Sequence, residues 1–495
     1  MDETNELFKE RLKKLNAFRT LRLYDEAVDP YGGRFERSGT LKESVSQFEE
    51  GKRAKVAGRL MAIRTHGKSS FCDLRDQEGK LQLYFKEDVV GKEAFEFFSK
   101  IDIGDILGAE GTLFKTKTGE ISLRVERFEL LSKNLRPLPE KWHGLKDVET
   151  RYRQRYVDLI MNEEARAVFL LRSRLIQKMR AFLDQHGFLE VETPMLHPIP
   201  GGAAGEPFQT HHNALDADLY LRLAPELYLK KLLVGGFEKV YEIAKSFRNE
   251  GISTRHNPEF TMLEAYAAYW NYEDMMAFLE KMFLSLSEEI LGKTTLEYQT
   301  TDGTVTTVDL TPPWDRVSFA QLLKEKYDIT PTDSTEVWTT KLQKKGQGKG
   351  IGRNVQGKIS RSQIVKLTEE LLEPKSAGKP LFVIDYFKEL CPLAKNKKEN
   401  PEICDRFELF IGGLEVANAY SELNDPIEQK KRFEAQVDGV ADPSKMDEDF
   451  LRALEYGMPP AAGLGVGIDR LTMLFTNQSS IREVILFPQL KPEKG

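Results

Sequence analysis

The segment from Val240 to Tyr266 constrains this chain most, because it places charged side chains inside strands that are otherwise apolar. An apolar strand, a polar loop over residues 249–257 and a second strand over 259–266 predict a hairpin. Charge in such strands is costly unless it is paired or used on a ligand. The charged residues in question are Arg248, Glu250, Glu259 and Glu264. The segment is therefore either a surface hairpin held by salt bridges or a site for an anionic, phosphate-bearing ligand with an amine nearby.

Composition narrows the class of protein. A length of 495 residues predicts at least two domains, and a net charge of −6 means that nucleic-acid binding would depend on local basic patches. No apolar run is long enough to span a bilayer, and the N-terminus has no apolar secretory core. Cys72, Cys391 and Cys404 are scattered, which argues against disulfides and a zinc ribbon and favours a reducing, cytoplasmic location.

The domain pattern changes along the chain. Residues 1–50 predict a helical extension, and residues 51–135 predict five short strands with a helix between the third and the fourth, the pattern of an OB-fold barrel. Residues 136–160 predict a linker, and 161–495 form the rest of the chain. Arg64, Phe71 and Gln82 on the early strands could hold one unstacked base. The alternative is a barrel without a ligand, with Phe71 in its core.

Several features of residues 161–495 indicate chemistry without proving it. Three acids spaced by seven, Glu408, Glu415 and Glu422, occur in apolar strands and suit Mg²⁺ bridged to phosphates, or are exposed strand-edge acids. Glu226 begins a helix, where an acid is also favoured by the helix dipole, and Arg470 opens a helix, where an anion should compensate it. The polar, Gly- and Lys-rich residues 335–360 predict a weakly ordered insertion without chemistry.

Three blocks taken together resemble a known family. TPML after a long helix, FRNE followed by RHNPEFTMLE, and GLGVGIDRL resemble the three signature motifs of class II aminoacyl-tRNA synthetases. The OB-like domain ahead of them is similar to that of subclass IIb. Within this subclass the lysyl-tRNA synthetase family is the best match, through PGGA, APELYLK, STRHNPEFTMLE, NAYSELNDP and IREVILFPQ.

This resemblance implies the fold, the reaction and the partners. The fold is α+β: an N-terminal OB-fold β-barrel for the anticodon, then a class II catalytic domain with a mixed, mainly antiparallel sheet flanked by helices. The reaction joins L-lysine to ATP as lysyl-adenylate and transfers it to the 3′ end of tRNA(Lys), with Mg²⁺ as the cofactor. Catalysis should rest on positioning and electrostatic stabilisation. A homodimer is implied, with an interface at the first motif, and no membrane partner.

The resemblance also implies how ATP is held. Arg248 would bridge the lysine carboxylate and the α-phosphate, as its planar guanidinium allows. Glu250 would recognise the adenine amino group, and Phe260 would stack on adenine with Arg470 on the opposite face. Two residues at the hairpin tip would hold the β and γ phosphates: Arg255 and His256.

The remaining implied sites are those for metal, lysine and anticodon. The resemblance implies that Glu408 and Glu415 bind Mg²⁺. It also implies that Arg64, Phe71 and Gln82 bind the central uridine of the anticodon. Two or more carboxylates facing an ammonium favour lysine over aspartate or asparagine, whose side chains would not need them. The lysine-binding residues are Gly202, Glu226, Arg248, Glu264, Tyr266, Asn418, Tyr420 and Glu422.

The chain departs from the family pattern at a few positions, Gly205-Glu206, Phe387 and Cys391, which bear on pocket detail rather than on the reaction. Two other functions compete with the tRNA ligase. One is an enzyme that lysylates a protein, but such paralogues lack the OB domain. The other is a non-catalytic tRNA-binding protein, against which the intact Arg248, Glu408 and Arg470 argue.

Overall fold

The structure is a computed structural model, and it describes residues 3–139, 147–299, 303–345, 360–372, 374, 376, 378–437 and 446–492. Contacts along the backbone divide the chain into two compact units, Met1–Lys146 and Asp147–Gly495. Within the described residues, no helix is both long enough and apolar enough to cross a membrane.

The first unit is a β-barrel preceded by a long helix. Its helices are α1 (Glu3–Phe18), α2 (Leu41–Ser46), α3 (Glu87–Val90) and α4 (Lys92–Phe98). Its strands are β1 (Arg22–Leu23), β2 (Glu26–Ala27), β3 (Arg53–His66), β4 (Ser69–Arg75), β5 (Lys80–Lys86), β6 (Ile106–Lys115) and β7 (Ile121–Ser132). Strands β3 to β7 close in the order β3-β4-β5-β7-β6, with α3 and α4 between the third and fourth barrel strands, which confirms the predicted OB-fold.

Alternating burial explains the barrel. Along β5, Leu81, Leu83 and Phe85 are buried inside, while the residues between them face outward and are half-buried. Phe85 stacks on Phe98 of α4 with ring centroids 3.9 Å apart, so the helix closes the core of the barrel. The outward face is left to polar and aromatic side chains.

The second unit contains the remaining elements. Its helices are α5 (Val148–Arg153), α6 (Arg155–Met161), α7 (Glu163–Gln185), α8 (Glu226–Val234), α9 (Tyr272–Leu291), α10 (Phe319–Tyr327), α11 (Thr335–Lys344), α12 (Arg361–Glu370), α13 (Pro426–Val437), α14 (Glu448–Glu455), α15 (Ile468–Phe475) and α16 (Ile481–Val484). Its strands are β8 (Leu189–Glu190), β9 (Leu196–His197), β10 (Gln209–His212), β11 (Ala217–Leu221), β12 (Lys239–Phe247), β13 (Glu259–Ala268), β14 (Thr295–Gln299), β15 (Val305–Asp309), β16 (Asp315–Ser318), β17 (Leu381–Phe387), β18 (Ile403–Ile411), β19 (Leu414–Ser421) and β20 (Ala461–Gly467).

An eight-stranded sheet organises this unit, in the order β16-β17-β18-β19-β20-β13-β12-β8. Its inner pairings are antiparallel, and the two edge pairings, β16 with β17 and β12 with β8, are parallel. Leu263 and Ala265 of β13 join Met179 of α7 and Met282 of α9 in the main core. The sheet is therefore mixed and mainly antiparallel, with α7 and α9 packed on one of its faces and α8 on the other.

Two predicted segments differ in the structure. On either side of Pro194, which has no backbone donor, β8 and β9 are separate strands that belong to different sheets. Most of the second half of the predicted linker is helical, as α5 and α6, and the division between the two units falls at Lys146. The predicted insertion begins as a helix, α11, because Ser334 caps it and Trp338 and Leu342 are buried. Residues 346–359 of that insertion lie outside the described residues.

Candidate active site

The predicted hairpin is confirmed as β12 and β13, which pair antiparallel from Lys239 opposite Ala267 to Phe247 opposite Glu259. Successive side chains of a strand face opposite sides of the sheet. Leu263 and Ala265 enter the core under the helices, so Glu264 projects from the other face. Alternation thus explains the charge of Glu264 inside the apolar strand, whereas Arg248 and Glu250 lie beyond the end of β12.

A cavity lies on this face and brings together the residues predicted for ATP. Its lining includes Arg248, Glu250, Arg255, His256, Phe260, Glu415, Asn418 and Arg470. The Arg248 guanidinium carbon lies 5.2 Å from the centroid of the Phe260 ring. The hairpin thus contributes a cation, an aromatic ring and an acid to this cavity. Strand β19 and helix α15 contribute residues on its opposite side.

Arg248 has an unused donor at this cavity. Burial lowers the pKa of Arg248, while the neighbouring Glu250 and Glu415 act in the opposite direction. Its Nε is buried and has no hydrogen-bond partner among the described residues. A buried guanidinium with a spare N–H is suited to an anion that supplies the missing acceptor.

Arg470 is paired as the helix-dipole argument anticipated. Its Nη1 donates to the backbone oxygen of Glu415 at 2.9 Å and to the carboxylate Oε2 of the same residue at 3.0 Å. Its Nη2 lies 3.3 Å from Nε2 of His256, whose Nδ1 is 3.0 Å from the Ser253 hydroxyl. Burial and the charge of Arg470 lower the pKa of His256, so its imidazole is neutral near pH 7.

A second cavity adjoins the first through Arg248 and Asn418, which line both. It is bordered by Gly202, Glu226 and Tyr420. Gly202 has φ +81°, and a Cβ there would lie 3.4 Å from the Cβ of Glu226, so the glycine loop passes directly beside this acid. Arg248 thus lies where ligands in the two cavities would meet.

Three buried acids, Glu226, Glu264 and Glu422, lie close enough to interact electrostatically. Tyr266 donates its hydroxyl to Glu264 Oε2 at 3.1 Å, and Tyr420 donates to Glu226 Oε1 at 2.5 Å. Burial raises the pKa of Glu264 to about 8, with a further contribution from Glu226. Burial also raises the pKa of Glu422 to about 8, although a nearby lysine opposes the rise. A bound cation would therefore stabilise the ionised form of these acids.

That lysine, Lys230, was missed by the sequence analysis. Its Nζ lies 2.5 Å from Glu226 Oε1 and 2.5 Å from Glu422 Oε2, and its side chain is fully buried. The spacing of four residues from Glu226 along α8 could have indicated the first contact. The second contact joins distant parts of the chain and has no local signal.

Glu408 and Glu415, the two predicted metal ligands, lie on the adjacent strands β18 and β19. Glu422 belongs to the acid cluster instead. Glu408 on β18 accepts a hydrogen bond from the Tyr386 hydroxyl at 2.8 Å and pairs with Arg406, another side chain that the sequence analysis missed. Burial raises the pKa of Glu408, and the negative charge of Glu415 adds to this. Within the described ranges no group of three or more His, Cys, Asp or Glu side chains could hold a metal by itself.

The barrel residues predicted for the anticodon are neighbours on its outer face. Arg64 pairs across the strands with Phe71 but is held by Asp73, with its two Nη atoms 3.0 and 2.7 Å from the carboxylate. Phe71 stacks on Tyr84 with ring centroids 4.7 Å apart. Gln82 accepts a hydrogen bond from a serine hydroxyl, Ser122 Oγ, at 2.9 Å. Phe71 is half-buried on the outer face, so the alternative that placed it in the core is wrong.

The aromatic surface extends further than the sequence analysis indicated. Tyr84 lies 5.8 Å from Phe114, and the Arg124 guanidinium carbon lies 5.3 Å from the Phe114 ring centroid. Phe71, Tyr84, Phe114 and Arg124 therefore form a row across four strands, which we call the aromatic row. Rings and cations in such a row suit unstacked bases.

The residues that depart from the family pattern have different surroundings. A Cβ at Gly205 would be 3.1 Å from Arg248 Cδ and from Glu250 Oε1, so a larger residue there would press on both side chains. Cys391 is buried at the second cavity, with its Sγ 3.8 Å from Arg406 Nη1. Phe387 packs edge-to-face against Phe319 at 5.3 Å, which places it in the core rather than in a pocket.

Comparisons with known proteins agree with this arrangement. The family described as tRNA synthetases class II (D, K and N) matches residues 147–491, and the OB-fold nucleic acid binding domain matches residues 54–131. A lysine–tRNA ligase of Carboxydothermus hydrogenoformans is 54% identical over 99% of both chains. One of Pelotomaculum thermopropionicum is 53% identical over 100% of this chain and 96% of its own, and one of Bacillus subtilis is 47% identical over 99% and 98%. The chain therefore belongs to the class II tRNA synthetases of the D, K and N group.

Proposed function

We propose that the chain is a ligase that joins L-lysine to tRNA(Lys). A lysine carboxylate oxygen attacks the α-phosphorus of ATP, the bond to the β-phosphate oxygen breaks, and diphosphate leaves. The 3′-terminal hydroxyl of tRNA then attacks the carbonyl of lysyl-adenylate, and AMP leaves. The names of the full-length relatives support this reaction.

The observation that carries lysine as the substrate is the cluster of three buried acids. Oε1 of Glu422 is buried and has no hydrogen-bond partner in the part of the chain that the structure describes. A substrate ammonium would supply the missing donor and would meet Glu264 and Tyr266 in the same region. The α-ammonium falls to Glu226 beside Gly202. An aspartate or asparagine side chain would leave these acids unpaired, at a cost in binding.

The nucleotide is assigned to the first cavity. Arg248 borders both cavities, so its guanidinium can contact the lysine carboxylate and the α-phosphate together and hold them for the displacement. Phe260 would stack on adenine opposite Arg470, with Glu250 on the exocyclic amine. The phosphates beyond the α position fall to the hairpin tip, Arg255 and His256.

The donor set fits Mg²⁺. Glu408 and Glu415 are two carboxylates on adjacent strands. Burial raises the pKa of Glu408, and repulsion from Glu415 adds to this rise. Magnesium is commonly bound by one or two carboxylates, with waters and substrate phosphates completing its shell, so a pair is sufficient. When bound, the ion would neutralise phosphate charge.

We also propose the partners that the family resemblance implied. The outer face of the barrel, with Arg64, Phe71 and Gln82, would hold the anticodon of tRNA. A homodimer would use the first-motif region, where Leu189, Met195 and Leu196 are about half exposed. The three cysteines are free and buried, which favours the reducing cytoplasm.

Exchange of labelled pyrophosphate into ATP tests the proposal, with lysine, aspartate and asparagine compared. Exchange is expected with lysine, and aminoacylation of total tRNA is expected with lysine alone of the three. Glu422→Gln should weaken lysine binding far more than ATP binding, because it replaces the buried carboxylate with an uncharged amide. Glu259→Gln is the matched control, since Glu259 lies on the same hairpin but is exposed. Exchange with aspartate or asparagine would contradict lysine, and tRNA binding without any exchange would indicate a non-catalytic protein.

A further inference from the structure

Lys230 places an ammonium group of the protein inside the acid cluster assigned to the substrate. Helix α8 begins at Glu226, and residues four apart lie on the same helix face, so the two side chains meet. The Nζ atom is 2.5 Å from Glu226 Oε1, and the same atom is 2.5 Å from Glu422 Oε2. One cation thus joins the acid assigned to the α-ammonium with an acid assigned to the ε-ammonium.

The surroundings keep this ion pair away from water. The Lys230 Nζ lies 5.4 Å from the Tyr420 ring centroid and 5.9 Å from that of Phe450, and the side chain is 0% exposed. Burial alone would lower the pKa of Lys230, but the two carboxylates raise it, so the ammonium is retained. The titratable and charged groups around the acids Glu226, Glu264 and Glu422 are Arg222, Glu242, Arg248, Tyr266 and Tyr420.

The two oxygens of Glu422 have different surroundings. Oε2 contacts Lys230, whereas Oε1 points to the backbone of β20, where a Cβ at Gly463 would lie 2.1 Å from it. The Tyr266 ring borders the same spot, with its Cε1 2.4 Å from that position. Holding one oxygen therefore sets the direction of the other.

We propose that Lys230 is a positioning residue of the amino-acid site: by binding Glu422 Oε2 and Glu226 Oε1, it directs Glu422 Oε1 toward the substrate ε-ammonium. This inference rests on the proposed lysine activation. Without the buried ammonium, adjacent carboxylates would take up protons or turn away from each other, because like charges in a buried site disfavour ionisation.

Two variants test the inference in lysine-dependent pyrophosphate exchange. Lys230→Gln replaces the ammonium with an uncharged amide that can still donate hydrogen bonds. Lys230→Met removes both the charge and the donors. Each should raise the KM for lysine by about tenfold or more while the KM for ATP stays at the wild-type value. The defect should shrink between pH 7 and pH 8.5, because a higher pH restores ionised acids. A merely structural role would not produce this split or this pH profile.

Lys231→Met is the matched control. Its side chain is the next along α8 but pairs with Asp449 at 2.7 Å, outside the acid cluster, so wild-type lysine and ATP constants are expected. Thermal unfolding of each variant shows whether it folds, and Lys230→Gln is also combined with Glu422→Gln. The added loss should be small in the double variant, because Lys230 acts partly through Glu422.

Several outcomes would overturn the inference: a wild-type lysine KM in Lys230→Gln, an equal rise of both KM values, or full additivity with Glu422→Gln. If Lys230→Met does not fold, Lys230→Gln decides the matter. Failure of the proposed function is distinguishable, because then the wild-type protein itself would not exchange pyrophosphate with lysine.

Discussion

At the scale of single residues, the proposed lysine site implies that Glu264 couples lysine binding to proton release. Burial raises the pKa of Glu264 to about 8, above its ordinary 4.5, so the carboxyl is protonated at pH 7 when no cation is bound. In the unliganded protein this group therefore favours folding most fully below pH 4.5, and that contribution is lost as the pH rises through about 8. A bound ammonium reverses the preference, because it stabilises the carboxylate.

We therefore expect lysine binding near pH 7 to release protons and to tighten by about fivefold between pH 7 and pH 8.5. Calorimetry in two buffers of different ionisation heat measures the proton release. Glu264→Gln should remove a large part of the release, whereas the exposed Glu259→Gln should leave it unchanged. Lysine binding without proton release at pH 7 would contradict the assignment.

Gly463 sets the room available beside the acids. A Cβ at this position would lie 2.1 Å from Glu422 Oε1 and 2.4 Å from the Tyr266 ring. Overpacking of about 1–3 kcal/mol is expected for Gly463→Ala, which corresponds to a lysine affinity about 10- to 100-fold weaker. Calorimetric titration with lysine and separately with ATP measures the effect. An equal loss for ATP would mean that the substitution disturbs the sheet rather than the lysine pocket.

At the scale of elements, the barrel strands present the aromatic row at their outer face. Phe71→Ala removes the ring that stacks on Tyr84 and is assigned to a base. A stacked base contributes about 1–3 kcal/mol, so the KM for tRNA should rise about tenfold or more in aminoacylation. Pyrophosphate exchange needs no tRNA and should keep its wild-type rate.

The matched control is Tyr31→Ala, which removes an exposed ring outside the aromatic row. Its tRNA KM should remain that of the wild type. A Phe71→Ala protein with an unchanged KM for tRNA would assign the anticodon to another surface.

The local sequence pattern was enough to predict the hairpin and the barrel. The period of two along β5 and β13 comes from side-chain alternation, which each strand carries in its own sequence. The pairing of Lys230 with Glu422 could not be predicted, because it depends on how α8 packs against the end of β19. The same holds for Arg406 beside Glu408, since its partner and its burial are set by the neighbouring strands and helices.

At the scale of the whole molecule, the assembly is open to a direct test. Sedimentation should give twice the chain mass of 56.6 kDa if the first-motif region forms a two-fold interface. Leu189→Glu combined with Leu196→Glu places charge on two half-exposed apolar positions of this region and should yield monomers. Ile427→Glu is the control, since it changes an exposed apolar residue of α13 instead. A wild-type protein that sediments as a monomer would contradict the dimer.

The glycines of β20 have a consequence for altering the substrate range. One wall of the proposed lysine site is bare backbone at Gly463. Gly465, on the same strand, faces Asn418 of β19 and Met262 of β13. A wall made of hydrogen atoms cannot be trimmed, so a redesign for a longer or bulkier amino acid has no room to gain there. Space must come from shortening the acids or rings opposite, each of which also carries charge or a hydrogen bond. Enlarging the pocket and weakening its selectivity are therefore the same operation in this fold.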